Sequence, residues 1–370
     1  LDKHLHIICF DVPYPADYGG VIDVFYKIVW LQKAGIKIHL HCFANGRKPN
    51  NELDKYCETV NYYTRTKGIS FSLPYIVKSR SSKALAANIV KDNYPILMEG
   101  IHCTYLLNER LFADRKILIR LHNVEHKYYS SLAKNESNGF KKFYFFLESR
   151  LLKKYESTIA NKAILLALNK QDQEYYVTNF ESKQTHFLPA FLPWDTVNIA
   201  SGKGAYCLYH GNLSVNENET AAIWLVNEVF NSLEIPLIIA GKNPSQKLQN
   251  LIKDKQHIKL IANPGEAEIN ELIKNAQLNI LPSFNNTGVK LKLLNALFNG
   301  RYCVSNIAAV AGSLFSELTI IASSANDFTQ KIENLFTQEF TEAAIELRQN
   351  ILSENYSNKK NIEQLIAWIY

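Results

Sequence analysis

The stretch Leu281 to Asn306, LPSFNNTGVKLKLLNALFNGRYCVSN, constrains the fold more than any other part of the chain. It reads as strand end, polar loop, glycine, helix, glycine and strand. Asn279-Ile280-Leu281 closes an apolar strand, and Pro282 to Thr287 has no apolar periodicity. Gly288 then opens a helix. Val289, Leu291, Leu293, Leu294, Leu297 and Phe298 recur along it at the mixed three- and four-residue spacing of a buried helix. Gly300 ends the helix, and Tyr302-Cys303-Val304 starts the next strand. The loop after the first strand faces four unpaired N–H groups and the positive end of the helix dipole, which together favour an anion such as phosphate. Lys290 and Lys292 add positive charge where cations are disfavoured. They are either solvated surface lysines or partners of a bound anion.

The same alternation fills the chain. Leu5 to Phe10 is a strand, followed by the Pro-, Asp- and Gly-rich DVPYPADYGG, a helix from Val21 to Lys33 and a strand from Ile36 to Phe43. This is one right-handed crossover of a parallel sheet. Gly19 and Gly20 either admit a ligand close to the backbone or make a tight turn. Their spacing is not the dinucleotide fingerprint, so a nicotinamide cofactor is not supported. Strands follow at Thr59–Tyr63, Tyr94–Glu99, Lys116–Leu121 and Ala163–Leu168, with helices at Ser81–Val90, Phe140–Ile159 and Lys170–Thr178. KILIRL runs straight into His122-Asn123-Val124-Glu125. Polar residues at the carboxyl end of a parallel strand lie where open α/β sheets bind ligands, so His122 is a candidate functional residue, with a structural hydrogen bond as the other reading. The helix Phe140–Ile159 carries Lys141, Lys142, Arg150, Lys153 and Lys154 among Phe, Tyr and Leu. It reads either as a core-packed helix with solvated lysines or as a basic amphipathic face for an anionic bilayer.

Phe187 to Gly204 has turns and no periodicity, and reads as a link. The pattern then restarts. Strands are expected at Tyr206–Tyr209, Ile235–Ala240, Ile258–Ile261 and Thr319–Ala322. Helices are expected at Glu219–Phe230, capped by Asn216 or Asn218, and at Ile269–Asn275, Asp327–Phe336, Thr341–Ser353 and Asn361–Ile369. The expected fold is therefore α/β: two Rossmann-like, doubly wound parallel-sheet domains facing a ligand cleft. Residues 1–188 form the first domain, 189–204 the linker and 205–355 the second domain. Residues 356–370 are a last helix crossing back to the first.

With 47% hydrophobic residues in 370, the chain can bury a sizeable core. A net charge of +6 does not argue for nucleic acid; it suits anionic substrates or an anionic membrane surface. The six cysteines form no C-x-x-C pair, so reduced buried thiols of a cytoplasmic protein are expected rather than a zinc site. No apolar run is long enough to span a membrane, and no signal peptide is visible.

Four runs, YPADYGGVIDVFYKIVWLQKAGIKIHL, RLHNVEHKYY with LESRLLKKYE, YHGNLSVNENETAAIWLVNEV and GVKLKLLNALFNGRYCVS, give the chain a resemblance to the family 4 glycosyltransferases of GT-B fold. It looks most like the bacterial sugar transferases of surface polysaccharide synthesis. The resemblance implies transfer of a sugar from a nucleotide-sugar donor to a glycan or lipid-linked acceptor, usually with retention and without a metal or other cofactor. A peripheral place at the inner face of the cytoplasmic membrane would fit such an acceptor. It places His122 beside the transferring sugar and Lys292 on the diphosphate. Gly211, Asn212, Gly288, Val289 and Asn295 would contact the donor, and Gly19 and Gly20 would approach the donor phosphate or the acceptor. The sequence departs from the family where two glutamates are usual: Thr287 and Asn295 stand there. The usual basic pair after Gly211 is also missing. A binding protein that holds a nucleotide-sugar or glycan without turnover is the alternative, and an epimerase of the same architecture a third.

Overall fold

The computed structural model describes residues 2–44, 46–68, 70–109, 112, 114–285, 288–311, 313 and 315–370. The chain divides into two compact units, Leu1–Pro193 with Tyr356–Tyr370, and Trp194–Asn355.

In the first unit the chain runs β1 (His4–Cys9), α1 (Gly19–Lys33), β2 (Lys37–Ala44), β3 (Thr59–Thr64), α2 (Tyr75–Lys78), α3 (Lys83–Ile89), β4 (Ile96–Glu99), β5 (Ile117–Leu121), α4 (Glu125–Asn135), α5 (Gly139–Ile159), β6 (Ile164–Ala167), α6 (Lys170–Phe180) and β7 (Thr185–Phe187). The seven strands are all parallel, in the order β3-β2-β1-β4-β5-β6-β7. Helices cover both faces, so most strands are near-continuous apolar runs: Leu5, Ile7, Ile8 and Cys9 are all buried. One core lies on each face of the sheet, the second including Val24, Ile28 and Leu31 of α1.

The second unit runs β8 (Cys207–Asn212), α7 (Asn216–Trp224), β9 (Leu237–Lys242), α8 (Gln246–Ile252), β10 (Ile258–Ala262), α9 (Glu266–Asn275), β11 (Leu278–Ile280), α10 (Leu291–Asn299), β12 (Tyr302–Ser305), α11 (Ile307–Val310), β13 (Ile320–Ile321), α12 (Ala325–Phe336) and α13 (Glu342–Asn355). Its sheet is again parallel, ordered β10-β9-β8-β11-β12-β13. The last helix, α14 (Asn358–Ile369), belongs to the first unit, where Ile362, Leu365 and Ile369 join the core that holds α1.

Several expectations change in detail. Leu188 to Leu192, read as the start of a link, is buried in the first unit, and Asn358 bonds both the N–H and the C=O of Leu192. Helix α7 begins at Asn216 rather than Glu219, and neither Asn216 nor Asn218 caps it. It continues from Leu225 to Val229 as a wider, π-type turn. Helix α10 starts at Leu291, three residues after Gly288, because Gly288 is left-handed at φ +68.

Candidate active site

Each sheet reverses its strand order once, between β1 and β4 and between β8 and β11. Open α/β sheets bind ligands at the carboxyl ends of the strands flanking such a reversal. Both groups of side chains that the sequence singles out lie there.

In the first unit, β1 leads to Phe10, β4 ends at Glu99 and β5 leads to His122. Helix α1 begins at Gly19 over this corner. A Cβ on Gly20 would stand 2.8 Å from the Phe10 ring, so Gly20 is needed for that packing. The same ring meets His122 edge-on at 5.4 Å. Gly100, at φ +80, turns the chain away after β4. His122 Nε2 lies 3.3 Å from Glu99 Oε2, with the His122 side chain 11% exposed. Behind it is a set of buried charges that sequence reasoning missed. Lys27 Nζ donates to Glu99 Oε1 at 2.7 Å and to Asp23 Oδ2 at 3.0 Å. Arg120 grips both oxygens of Asp23, at 3.0 and 2.9 Å, and donates to the carbonyls of Leu188 and Pro189. Burial alone would raise the Asp23 and Glu99 carboxyls. The cations outweigh it: Arg120 and Lys27 hold Asp23 far below the usual range, and Lys27 with His122 lowers Glu99. A signal existed in ILME and ILIRL: a charge inside an apolar parallel strand must find a partner.

Asp23, Glu99 and His122 bring one potential metal-ligand atom each within 4.8 Å of one another. Lys27 and Arg120 already neutralise the two carboxylates, so the donor set does not fit a divalent cation. Next along, Glu156 of α5 accepts from the first N–H groups of α4, those of Glu125 and His126, at 2.8 and 3.1 Å. It also takes the Tyr176 hydroxyl at 2.8 Å. Glu125 is buried near it, and burial, then Glu156, push its carboxyl up to about 8.

In the second unit, β8 ends in Gly211-Asn212. Gly211 pairs with Gly241 of β9, where a Cβ on Gly241 would stand 2.0 Å from the Gly211 carbonyl oxygen. Asn218 of α7 knits the corner together. Its amide lies over Gly211, donates to the Asn212 carbonyl at 3.0 Å and accepts from Lys292 Nζ at 2.9 Å. Lys292 sits in the first turn of α10, also 3.4 Å from the Tyr209 hydroxyl and 5.0 Å from the centre of its ring. Among the described residues no carboxylate forms an ion pair with it. Burial pushes its ammonium down to about 8, opposed by Glu217 and aided by Lys290. Lys290, by contrast, has a carboxylate: its Nζ is 3.7 Å from Glu217 Oε1. Glu217 also accepts from Ser283 Oγ at 2.7 Å and Asn285 Nδ2 at 3.3 Å. The loop expected to lack basic residues thus places an acid at the site.

Gly211, Asn212 and Lys292 are therefore brought together, through an Asn218 that the sequence offered only as a cap. Asn295 turns to its own helix, where its Oδ1 accepts from Asn299 at 2.8 Å, and makes no bond to Lys292. Gly288 and Val289 lie in the turn before α10, and Thr287 falls outside the described residues. Gly19, Gly20 and His122 belong to the first unit, and the other named residues to the second.

Two parallel sheets with helices on both faces, each reversing its strand order at a site of this kind, have the GT-B architecture of glycosyltransferases. Residues 204–338 match the family described as glycosyl transferases group 1, so the second unit carries a domain of that group, which supports a transferase. Over its length the chain is similar to an uncharacterized 44.6 kDa protein in the cps region of Klebsiella pneumoniae, at 29% identity over 388 residues, 96% of each chain. Among solved structures it is similar to a glycosyltransferase from Rickettsia africae, with TM-score 0.69 and 13% identity over 100% of this chain and 98% of that one. It is similar also to a TarM variant of S. aureus in complex with fondaparinux, alpha-GlcNAc-glycerol and UDP, with TM-score 0.68 and 10% identity over 99% of each chain. A third, HepE of Anabaena with UDP and glucose, has TM-score 0.65 and 12% identity over 98% of each. At these identities the structural likenesses carry the fold.

Proposed function

We propose that the chain moves a sugar from a nucleotide-sugar donor to a glycan or lipid-linked acceptor, with retention at the anomeric carbon, in the synthesis of a cell-surface polysaccharide. The observation that carries this reading is Lys292. It is a desolvated ammonium at a helix start, where a positive charge is disfavoured, and among the described residues its hydrogen-bond partners are the neutral Asn218 and Tyr209. A leaving diphosphate would supply its missing counter-charge, and a preorganised cation stabilises the charge that grows as the sugar departs. The UDP in two similar structures and the cps-region setting of the relative support the donor class and the pathway.

His122 takes the role of orienting a sugar hydroxyl. Gly211, Asn212, Gly288 and Val289 supply backbone near the diphosphate, and Asn295 offers a neutral amide to a ribose hydroxyl. No metal is assigned a part, since Lys27 and Arg120 fill that role among the carboxylates of the first unit. Activity is therefore expected to survive exhaustive treatment with EDTA.

A place at the inner face of the cytoplasmic membrane is supported by α5. Phe140 is 92% exposed and Phe143 63%, with Phe146 and Leu147 also exposed. The helix's two acids, Glu148 and Glu156, point inward and are buried. Its outer side therefore combines aromatic rings with Lys141, Lys142, Arg150, Lys153 and Lys154, as suits an anionic bilayer. No helix among the described residues is long and apolar enough to cross one.

The test is transfer from a panel of nucleotide-sugars to lipid-linked and free glycans, with the anomeric configuration of the product read by NMR. Lys292→Ala is expected to lower turnover by roughly 10²–10³-fold with little change in melting temperature. Lys290→Ala, whose cation is already paired with Glu217, is expected to lose far less. Equal turnover by Lys292→Ala and the parent refutes the assignment. Saturable donor binding with no turnover on any acceptor favours a binding protein instead.

A further inference from the structure

We propose that Glu99 is a positioning residue that fixes the tautomer of His122, so that the ring presents an unprotonated Nδ1 to a substrate hydroxyl. The inference rests on the assignment of His122 to a sugar hydroxyl and says how that role is enforced.

Glu99 closes β4 at the reversal of the first sheet and is fully buried. Its two oxygens are divided between two partners: Oε1 takes the Lys27 ammonium, and Oε2 faces His122 Nε2. Lys27 is bound in turn to Asp23, and Asp23 to Arg120. Charges alternate along the series Arg120, Asp23, Lys27, Glu99, with two of each sign, so the set is neutral before His122 is counted. That arrangement keeps Glu99 ionised in a place where burial alone would protonate it.

The consequence for His122 follows from what each group can donate. An ionised carboxylate only accepts. The ring nitrogen facing Glu99 must therefore carry the proton, so in the neutral ring Nε2 is the N–H and the lone pair lies on Nδ1. No described residue bonds Nδ1. The edge-on Phe10 ring at 5.4 Å limits rotation of the imidazole. A merely structural histidine would have no need of a carboxylate that is itself held by a buried ammonium. Lys27 thus acts on His122 at one remove, by holding Glu99 in its charged form.

The direct test is made on the parent protein, labelled with ¹⁵N-histidine. Long-range ¹H–¹⁵N correlation at pH 7.5 is expected to show His122 protonated at Nε2 and bare at Nδ1. An Nδ1–H tautomer, or an imidazolium at that pH, overturns the proposal. A second arm uses Glu99→Gln. The glutamine oxygen can still accept from Lys27 while its amide donates to His122 Nε2, which forces the proton to Nδ1. We expect the tautomer to switch and kcat to fall roughly ten- to hundredfold, with the donor KM within about twofold of the parent. In a His122→Ala background the same substitution should cost nothing further. An equal loss in both backgrounds marks Glu99 as structural and overturns the proposal, as does an unchanged tautomer in Glu99→Gln. If the single variant does not fold, the measurement on the parent decides. If His122→Ala alone leaves transfer intact, the role given to His122 falls, while the tautomer is still read independently by NMR.

Discussion

At the residue scale, the site is defined by which charges have partners. Two lysines lie two positions apart before and within α10, and the sequence gives no reason to separate them. The structure does so by a single acid. Glu217, from the first turn of α7, faces Lys290, whereas Lys292 rests on Asn218 and Tyr209. In the first unit Arg120, Asp23, Lys27 and Glu99 are all paired with one another. Removing one partner of a buried pair leaves the other unpaired, at a typical cost of about 3–5 kcal/mol. Arg120→Ala strips Asp23 of its bidentate partner and frees the carbonyls of Leu188 and Pro189. It is expected to destabilise the first unit by about that amount, measured by chemical denaturation. A loss below about 1 kcal/mol would mean that the pair is far less desolvated than its geometry implies. His122 and Lys292 stand out in the sequence as candidates because each lies in a short, orderly motif. The set of Glu99, Lys27, Asp23 and Arg120 does not, because the bonds that tie Lys27 to Glu99 and Arg120 to Asp23 join residues 72 and 97 positions apart.

At the scale of elements, strand–helix alternation was readable wherever an apolar run had a clear period. β1, α1, β2 and α5 fall within two residues of expectation. Helix α4 was missed because EHKYYSSLAKN has no apolar stripe. Its start is held instead by Glu156, some thirty residues on, which no local rule reads. β7 is three residues long and invisible for that reason. One face of β1 and β2 shows a further pattern. His4, His6, His39 and His41 line it, with His6 bonded to His41 at 2.9 Å and to Asp92 at 3.0 Å, and His41 to Tyr63 at 2.9 Å. Burial, reinforced by His6 and His39, pushes His41 down to about 3, and burial lowers His6 against the pull of Asp92. The unfolded chain protonates such a histidine near its ordinary value of 6.5; the folded chain does so only near 3. Stability is therefore present above 6.5 and lost as pH falls through that window. The slope is at most about 1.4 kcal/mol per pH unit for each histidine. Urea midpoints at pH 7 and pH 5 should show the loss, and His41→Asn should flatten it. An equal slope in parent and variant contradicts the assignment.

At the scale of the molecule, two sheets of the same strand order carry different kinds of site. One is a closed set of paired charges ending in a histidine; the other is a corner where, among the described residues, an ammonium has no ion-paired carboxylate. The first unit also bears the exposed aromatic and basic side of α5. Replacing Phe140, Phe143 and Phe146 with serine should abolish binding to vesicles containing phosphatidylglycerol while leaving turnover on a water-soluble acceptor intact. Unchanged vesicle binding would remove α5 from the account. The central claim is that Lys292 receives the donor diphosphate, and calorimetric titration of UDP and GDP against pH tests it most directly. With a free-protein pKa of about 8, Lys292 is charged at pH 7 and largely neutral at pH 9. Binding of the preferred diphosphate is expected to be about tenfold weaker at pH 9 than at pH 7 in the parent, and weak at both in Lys292→Ala. Binding that is independent of pH, equal in the variant, or absent for both nucleotides would contradict it.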